Sequence, residues 1–145
     1  MNQSPLTVAV VGLSKIVLPL AVQFAQHGCR VIGCDINSQV VDMTNTGQSH
    51  IQEEPGLATA LTDVVHKGSL SATLNTADAV SQAAVVVVIV PVGIDARHEV
   101  DFASIDAATA AIGDGYREKL EIQEKEEQFA TSAQDGRYSQ QGARS

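Results

Sequence analysis

Leu6-Thr7-Val8-Ala9-Val10-Val11-Gly12 forms an apolar run that ends on a glycine, and Val31-Ile32-Gly33-Cys34-Asp35 forms a second that ends on an acid. Between them, Ile16–His27 sets Leu18, Ala21, Val22 and Ala25 on one face at helical spacing. Strand, glycine turn, helix, strand, acid is the layout of a dinucleotide-binding βαβ unit. The acid falls about twenty residues beyond the glycine, where the adenosine ribose needs a partner. The glycine fingerprint is reduced to its first member. Where G-x-G-x-x-G is expected, the chain reads Gly12-Leu13-Ser14-Lys15-Ile16-Val17.

The alternation continues outward from this unit. Pro19 falls in the first turn of its helix, where a missing N–H costs little, and Gly28 ends that helix. Ser38 is a candidate cap for a helix reaching about Thr46, stopped by Gly47. Beyond the turn Glu54-Pro55-Gly56, a helix is expected from Leu57 to about His66, then a short strand near Ser71–Leu74 and a short helix near Thr76–Gln82. Val85-Val86-Val87-Val88-Ile89-Val90 reads as a strand buried on both faces of a parallel sheet, ended by Pro91 and Gly93. Phe102–Ile112 reads as a last helix with Asp101 as candidate cap. This pattern implies an α/β, Rossmann-like doubly wound parallel sheet, incomplete, with a polar C-terminal tail. Residues 1–115 form the expected domain. Residues 116–145 read as a charged tail, helical and frayed to about Ala130 and disordered from Arg137, because few apolar residues remain to offset ordering entropy.

At 145 residues the chain is one domain by length, and its net charge of −8 argues against nucleic acid as a partner. Cys29 and Cys34 have no metal-ligand spacing and read as buried thiols in a reducing compartment. His27, His50, His66 and His98 are scattered, with surface or helix-end roles expected and no metal site among them. Met1-Asn2-Gln3-Ser4-Pro5 lacks the basic region of a signal peptide, and the run from Ala83 to Val92 is shorter than the ~20 residues of a membrane span. A cytoplasmic protein without a membrane partner is expected.

The site follows from the turn and the acid. Gly12 permits a tight turn, and the N–H groups of residues 13–17 at the start of the following helix face a pyrophosphate. Ser14 replaces the glycine at the close-approach point with a small hydroxyl. Val17 replaces the glycine of the helix–strand contact, where a β-branched residue is expected to overpack at about 1–3 kcal/mol; on this reading Val17→Gly strengthens binding. Asp35 is expected to be the ribose partner, the alternative being a surface carboxylate that begins the turn before the Ser38 helix. A carboxylate about 4 Å from a 2′-phosphate is repelled by about 4 kcal/mol at an effective dielectric near 20, which favours NAD over NADP.

Taken together, Val8-Ala9-Val10-Val11-Gly12-Leu13, Leu18-Pro19-Leu20-Ala21, Val31-Ile32-Gly33-Cys34-Asp35-Ile36, Gln52-Glu53-Glu54-Pro55-Gly56-Leu57 and Val88-Ile89-Val90-Pro91 resemble the N-terminal domain of the UDP-glucose/GDP-mannose dehydrogenase family over about residues 6 to 113. The resemblance implies an NAD-dependent enzyme that oxidises the C6 alcohol of a nucleotide sugar through a cysteine-bound intermediate. It implies a cofactor site of Gly12, Leu13, Ser14, Lys15, Ile16, Val17, Asp35, Val90 and Pro91. The departures are Ser14 and Val17, Val92-Gly93 in place of a Thr-Pro pair, and Ala84 in place of an acid. The family's next strand, substrate domain and catalytic cysteine have no counterpart here, so no catalytic residue is assigned. The leading expectation is a truncated NAD-binding portion, inactive alone, with a nucleotide sugar as partner only when the missing domains are present and with a homo-oligomer possible. The alternatives are a degenerate interaction or regulatory module, and an NAD-dependent dehydrogenase of another type, against which Glu54-Pro55-Gly56-Leu57 argues.

Overall fold

The computed structural model describes residues 4–90 and 93–142. Its elements are β1 (Thr7–Val11), α1 (Val17–Gln26), β2 (Arg30–Cys34), α2 (Ser38–Asn45), α3 (Leu57–His66), β3 (Leu70–Thr73), α4 (Thr76–Gln82), β4 (Val85–Val88), β5 (Gly93–Ile94), β6 (Val100–Asp101) and α5 (Ala103–Gly142). The first four strands form one parallel sheet in the order β3-β2-β1-β4. β1 therefore lies between β2 and β4, with Val10 opposite Gly33 on one side and Val87 on the other. The chain winds outward through β2 and β3 and then returns past β1 to β4. That reversal opens a crevice at the carboxyl ends of the strands.

Successive strand residues alternate between two cores. Val8, Val10 and Val31 join Leu18, Ala21, Val22, Leu57, Leu61 and Val64 under α1 and α3. Ala9, Val11, Ile32 and Cys34 join Ala79, Val80 and Ala83 of the α4 side, with Ala108 and Ile112 of α5 packed against them. The uninterrupted apolar runs are thus the signature of strands covered on both faces. The two edges of the sheet differ. On β3, the side-chain amide of Asn45 pairs with Ala72 as a strand would, donating to its carbonyl at 2.9 Å and accepting from its N–H at 2.8 Å. The edge at β4 has no such cover among the described residues.

That edge overturns one expectation. β4 reads as buried on both faces, yet Val85 and Val88 are 43% and 37% exposed. A β-branched run records strand preference, but the number of neighbouring strands decides its burial, and β4 pairs only with β1 among the described residues. The antiparallel hairpin β5–β6 is also new relative to the sequence reading. Its turn is tied by Asp95, whose carboxylate accepts from the N–H groups of Arg97 and Glu99 at 2.8 and 3.0 Å. The cap of α2 is Asn37 rather than Ser38; its side chain accepts from the Gln39 N–H at 3.0 Å. Asp101 does meet the first turn of α5, accepting from the Ala103 N–H at 2.9 Å.

The largest difference is at the C-terminal side. The expected helix ends at Ile112 and the expected tail is disordered from Arg137, whereas α5 runs unbroken from Ala103 to Gly142. Gly113 and Gly115 fall where the expected domain gives way to the tail, and Gly115 is buried and serves packing. A Cβ there would lie 2.4 Å from the Ala77 carbonyl oxygen and 2.7 Å from Val80 Cβ. Its absence lets α5 close on α4. One turn later, Lys119 donates to the Ala83 carbonyl at 2.6 Å, satisfying an acceptor at the end of α4.

The two glycines separate packing from propensity. A Cβ at Gly113 would meet nothing within 4 Å, so Gly113→Ala is expected to stabilise the fold by up to about 1 kcal/mol. Gly115→Ala is expected to destabilise it by about 1–2 kcal/mol, overpacking outweighing the same helix gain. Urea unfolding measures both, and equal stabilisation by the two substitutions would show that α5 does not seat on α4.

Candidate functional site

The site begins where β1 ends. Gly12 leaves the strand with φ +95°, a region that side-chain-bearing residues rarely adopt. Its N–H donates to the Cys34 carbonyl at 2.8 Å, extending the β1–β2 ladder by one bond. A Cβ on Gly12 would stand 2.4 Å from the Ile89 carbonyl oxygen, so the turn passes directly against the chain leaving β4. The Ser14 carbonyl then accepts from the N–H groups of Val17 and Leu18, both at 3.0 Å, and α1 is under way. The N–H groups of Ser14, Lys15 and Ile16 have no acceptor among the described residues. The first turn of α1 carries no acidic residue, and its N-cap, Ile16, makes no side-chain cap. The start of the helix thus keeps its donors and positive dipole end for an anion.

Asp35 follows the last residue of β2 and faces this turn. Its Oδ2 accepts from the Leu13 N–H at 3.0 Å and its Oδ1 from the Asn37 N–H at 2.9 Å. A carboxylate has about four acceptor positions, so two remain for hydroxyl donors. Both oxygens are oriented by the backbone before any ligand arrives. The turn and the acid line a cleft of about 820 Å³ with Asn37, Asn75, Thr76 and Val90, and Ser104 and Asp114 of α5 close its far side. Unpaired backbone donors for phosphate, a carboxylate for ribose hydroxyls and apolar walls for a base fit the adenosine diphosphate half of NAD.

The nine residues expected at the cofactor do not all meet. Gly12, Leu13, Ser14, Asp35 and Val90 line the cleft. Lys15 and Ile16 are exposed beside it, and the Lys15 ammonium pairs with Glu53. Pro91 lies outside the described residues. Val17 is 0% exposed, in one cluster with Val8, Val10, Leu13 and Leu18. It sits at the helix–strand contact expected of it, fills core space there and is not among the residues lining the cleft.

Sequence reasoning missed Asn37, Asn75 and Thr76. Their signal was present: Asn37 and Asn75 cap the helices that follow β2 and β3, so each falls at a carboxyl strand end and hence at the crevice.

Cys34 lies on the floor of the cleft and is fully buried, whereas Cys29 is half-buried. Burial pushes the Cys34 thiol up from 9.0 to about 11; Asp35 adds to the shift, and the Thr76 hydroxyl works against it. A thiol held neutral at physiological pH is not a nucleophile. His27, His66 and His98 sit at the end of α1, in the last turn of α3 and in the hairpin turn. His50 differs from the surface role expected of it, its Nδ1 being buried without a partner among the described residues.

Residues 6–128 match the family described as UDP-glucose/GDP-mannose dehydrogenase family, NAD binding domain. The chain is 37% identical over 106 residues to the UDP-N-acetyl-D-mannosamine dehydrogenase of Salmonella typhimurium, covering 73% of this chain and 24% of that protein. It is 41% identical over 105 residues to the Campylobacter jejuni enzyme of the same name, covering 72% and 25%. Among solved structures, a UDP-glucose dehydrogenase from Pyrobaculum islandicum superposes with a TM-score of 0.74 at 32% identity, covering 79% of this chain and 26% of the other. A GDP-mannose dehydrogenase from Pseudomonas aeruginosa, solved as a ternary complex, gives 0.73 at 30% identity, covering 77% and 26%. The chain spans about a quarter of the length of the curated relatives it matches.

Two outcomes follow from the buried residues around the turn. Val17→Gly is expected to lower stability by about 2–4 kcal/mol, from the cavity it opens and from the poor helix propensity of glycine. Denaturant unfolding reads this directly, and a gain in stability would reinstate the clash. For Cys34, the folded-state thiol keeps its proton above the pH at which the unfolded thiol loses it. Its contribution is therefore complete below about pH 9 and is lost as pH rises towards about 11. Unfolding free energy measured from pH 8 to 11 should fall more steeply in the unmutated protein than in Cys34→Ala, and parallel curves would contradict the burial argument.

Proposed function

We propose that this chain, which belongs to the UDP-glucose/GDP-mannose dehydrogenase family, serves as the NAD-binding portion of a nucleotide-sugar dehydrogenase. The observation that carries the assignment of roles is Asp35, whose carboxylate is fixed at the end of β2 by the N–H groups of Leu13 and Asn37. From that position it accepts from the adenosine ribose hydroxyls. The unpaired N–H groups of Ser14, Lys15 and Ile16 face the pyrophosphate at the positive end of α1. The Ser14 hydroxyl, half-buried on the cleft wall, adds a further donor. Asn37, Asn75 and Thr76 supply polar contacts along the adenosine side.

When bound, NAD supplies the hydride acceptor for oxidation of an alcohol carbon. This chain contributes binding and orientation to that chemistry. Val11, Val90 and the alanines Ala107, Ala108 and Ala111 of α5 line the cleft with apolar surface that excludes water from the cofactor. The oxidation of a nucleotide sugar and any assembly of subunits belong to the proposal and rest on the relatives. No helix among the described residues is long and apolar enough to cross a membrane.

Isothermal titration calorimetry tests the assignment. NAD is expected to bind at least about tenfold more tightly than NADP, because the Asp35 carboxylate repels a 2′-phosphate. Asp35→Ala should weaken NAD and narrow the difference. Equal affinities in the unmutated protein would remove Asp35 from the ribose site, and no binding of either cofactor would favour a non-catalytic module instead.

A further inference from the structure

We infer that Gly33, a strand residue that does not line the cleft, is a positioning residue for the cofactor turn, acting through Leu13; the inference rests on the NAD reading above. Gly33 lies inside β2, opposite Val10 of β1 and Ala72 of β3. Unlike Gly12, it does not have positive φ, so its backbone does not call for glycine. A glycine inside a strand is unfavourable and marks a place where another group comes close. That group is the Leu13 side chain. A Cβ at residue 33 would lie 2.8 Å from Leu13 Cδ2, 3.0 Å from Cδ1 and 3.3 Å from Cγ.

Leu13 is 1% exposed and shares its cluster with Val10, Val17 and Leu18, so its side chain has nowhere else to go. Three consecutive residues of the β2 end therefore hold two consecutive residues of the turn. Gly33 gives the Leu13 side chain its space, Cys34 accepts from the Gly12 N–H at 2.8 Å, and Asp35 accepts from the Leu13 N–H at 3.0 Å. Residue 13 is gripped by both its side chain and its backbone. The donors of Ser14, Lys15 and Ile16 follow directly from it along the chain. This grip orients the turn without the second and third fingerprint glycines, whose places hold Ser14 and Val17.

The test is a double-substitution cycle on the 145-residue chain, read by NAD titration and by the exchange protection of the Gly12 and Leu13 amides without ligand. Gly33→Ala should weaken NAD binding of the folded protein by about tenfold or more and strip protection from both amides. In the Leu13→Ala background, where the space is free, the same Gly33→Ala change should have little further effect on either readout. A purely structural role would lower the urea midpoint of Gly33→Ala but leave NAD affinity and amide protection unchanged, which overturns the inference. If Gly33→Ala does not fold, Gly33→Ala with Leu13→Ala must restore folding and binding, and failure to do so overturns it equally. Absence of NAD binding in the unmutated protein would strike the cofactor reading alone, since the amide protection tests the grip without ligand.

Discussion

The chain must leave β1 at a point where no side chain fits. Gly12 turns with positive φ directly under the Ile89 carbonyl, held by its own N–H to Cys34. This contact joins the ends of β2, β1 and β4, three neighbouring strands, at one place. β2 supplies the acceptor, β4 supplies the wall, and β1 supplies the glycine. The parallel registers of β1 with β2 and with β4 place those groups together. The cleft, the exposed start of α1 and the position of Asp35 all depend on that crossing.

Around this point, charge and packing are divided between the two faces. The α1 face carries the turn and the larger aliphatic core, while the α4–α5 face carries small residues that let helices close on the sheet. Gly115 makes the second arrangement possible by letting α5 approach α4, and Lys119 fastens it at the Ala83 carbonyl. That approach brings Ser104 and Asp114 to the far wall of the cleft. A helix that lies beyond the expected core therefore helps to shape the site. On the proposed reading, the unpaired backbone N–H groups at the start of α1 serve phosphate through peptide dipoles, so an acidic chain needs no cluster of basic side chains there.

Much of this was legible in the sequence, for definable reasons. The runs ending at Gly12 and Asp35 located β1, β2 and the acid, because buried parallel strands leave continuous apolar stretches and strand ends leave turn residues. Helix α3 was readable between the Glu54-Pro55-Gly56 turn and Gly68, and α4 as a short helix near Thr76–Gln82, while the Asn75 cap of α4 was not. What escaped depended on neighbours. The exposure of Val85 and Val88 is set by the number of strands beside β4, which the run itself does not record. The packing role of Gly115 shows only once the surface of α4 is placed against it. Gly33 and Val17 have the same character, since one makes space for Leu13 and the other fills space near it. Local pattern gives an element its type, and the partner it meets decides what a glycine or valine does there.

The account's central claim is that the turn after β1 and the acid after β2 form one cofactor-binding surface. Amide chemical-shift mapping of the isotopically labelled chain during NAD titration tests it most directly. The account predicts saturable shifts concentrated at residues 12–16 and 35–37, smaller in a matched titration with NADP. Shifts spread over the exposed face of α5, or none that saturate at residues 12–16 and 35–37, would contradict it.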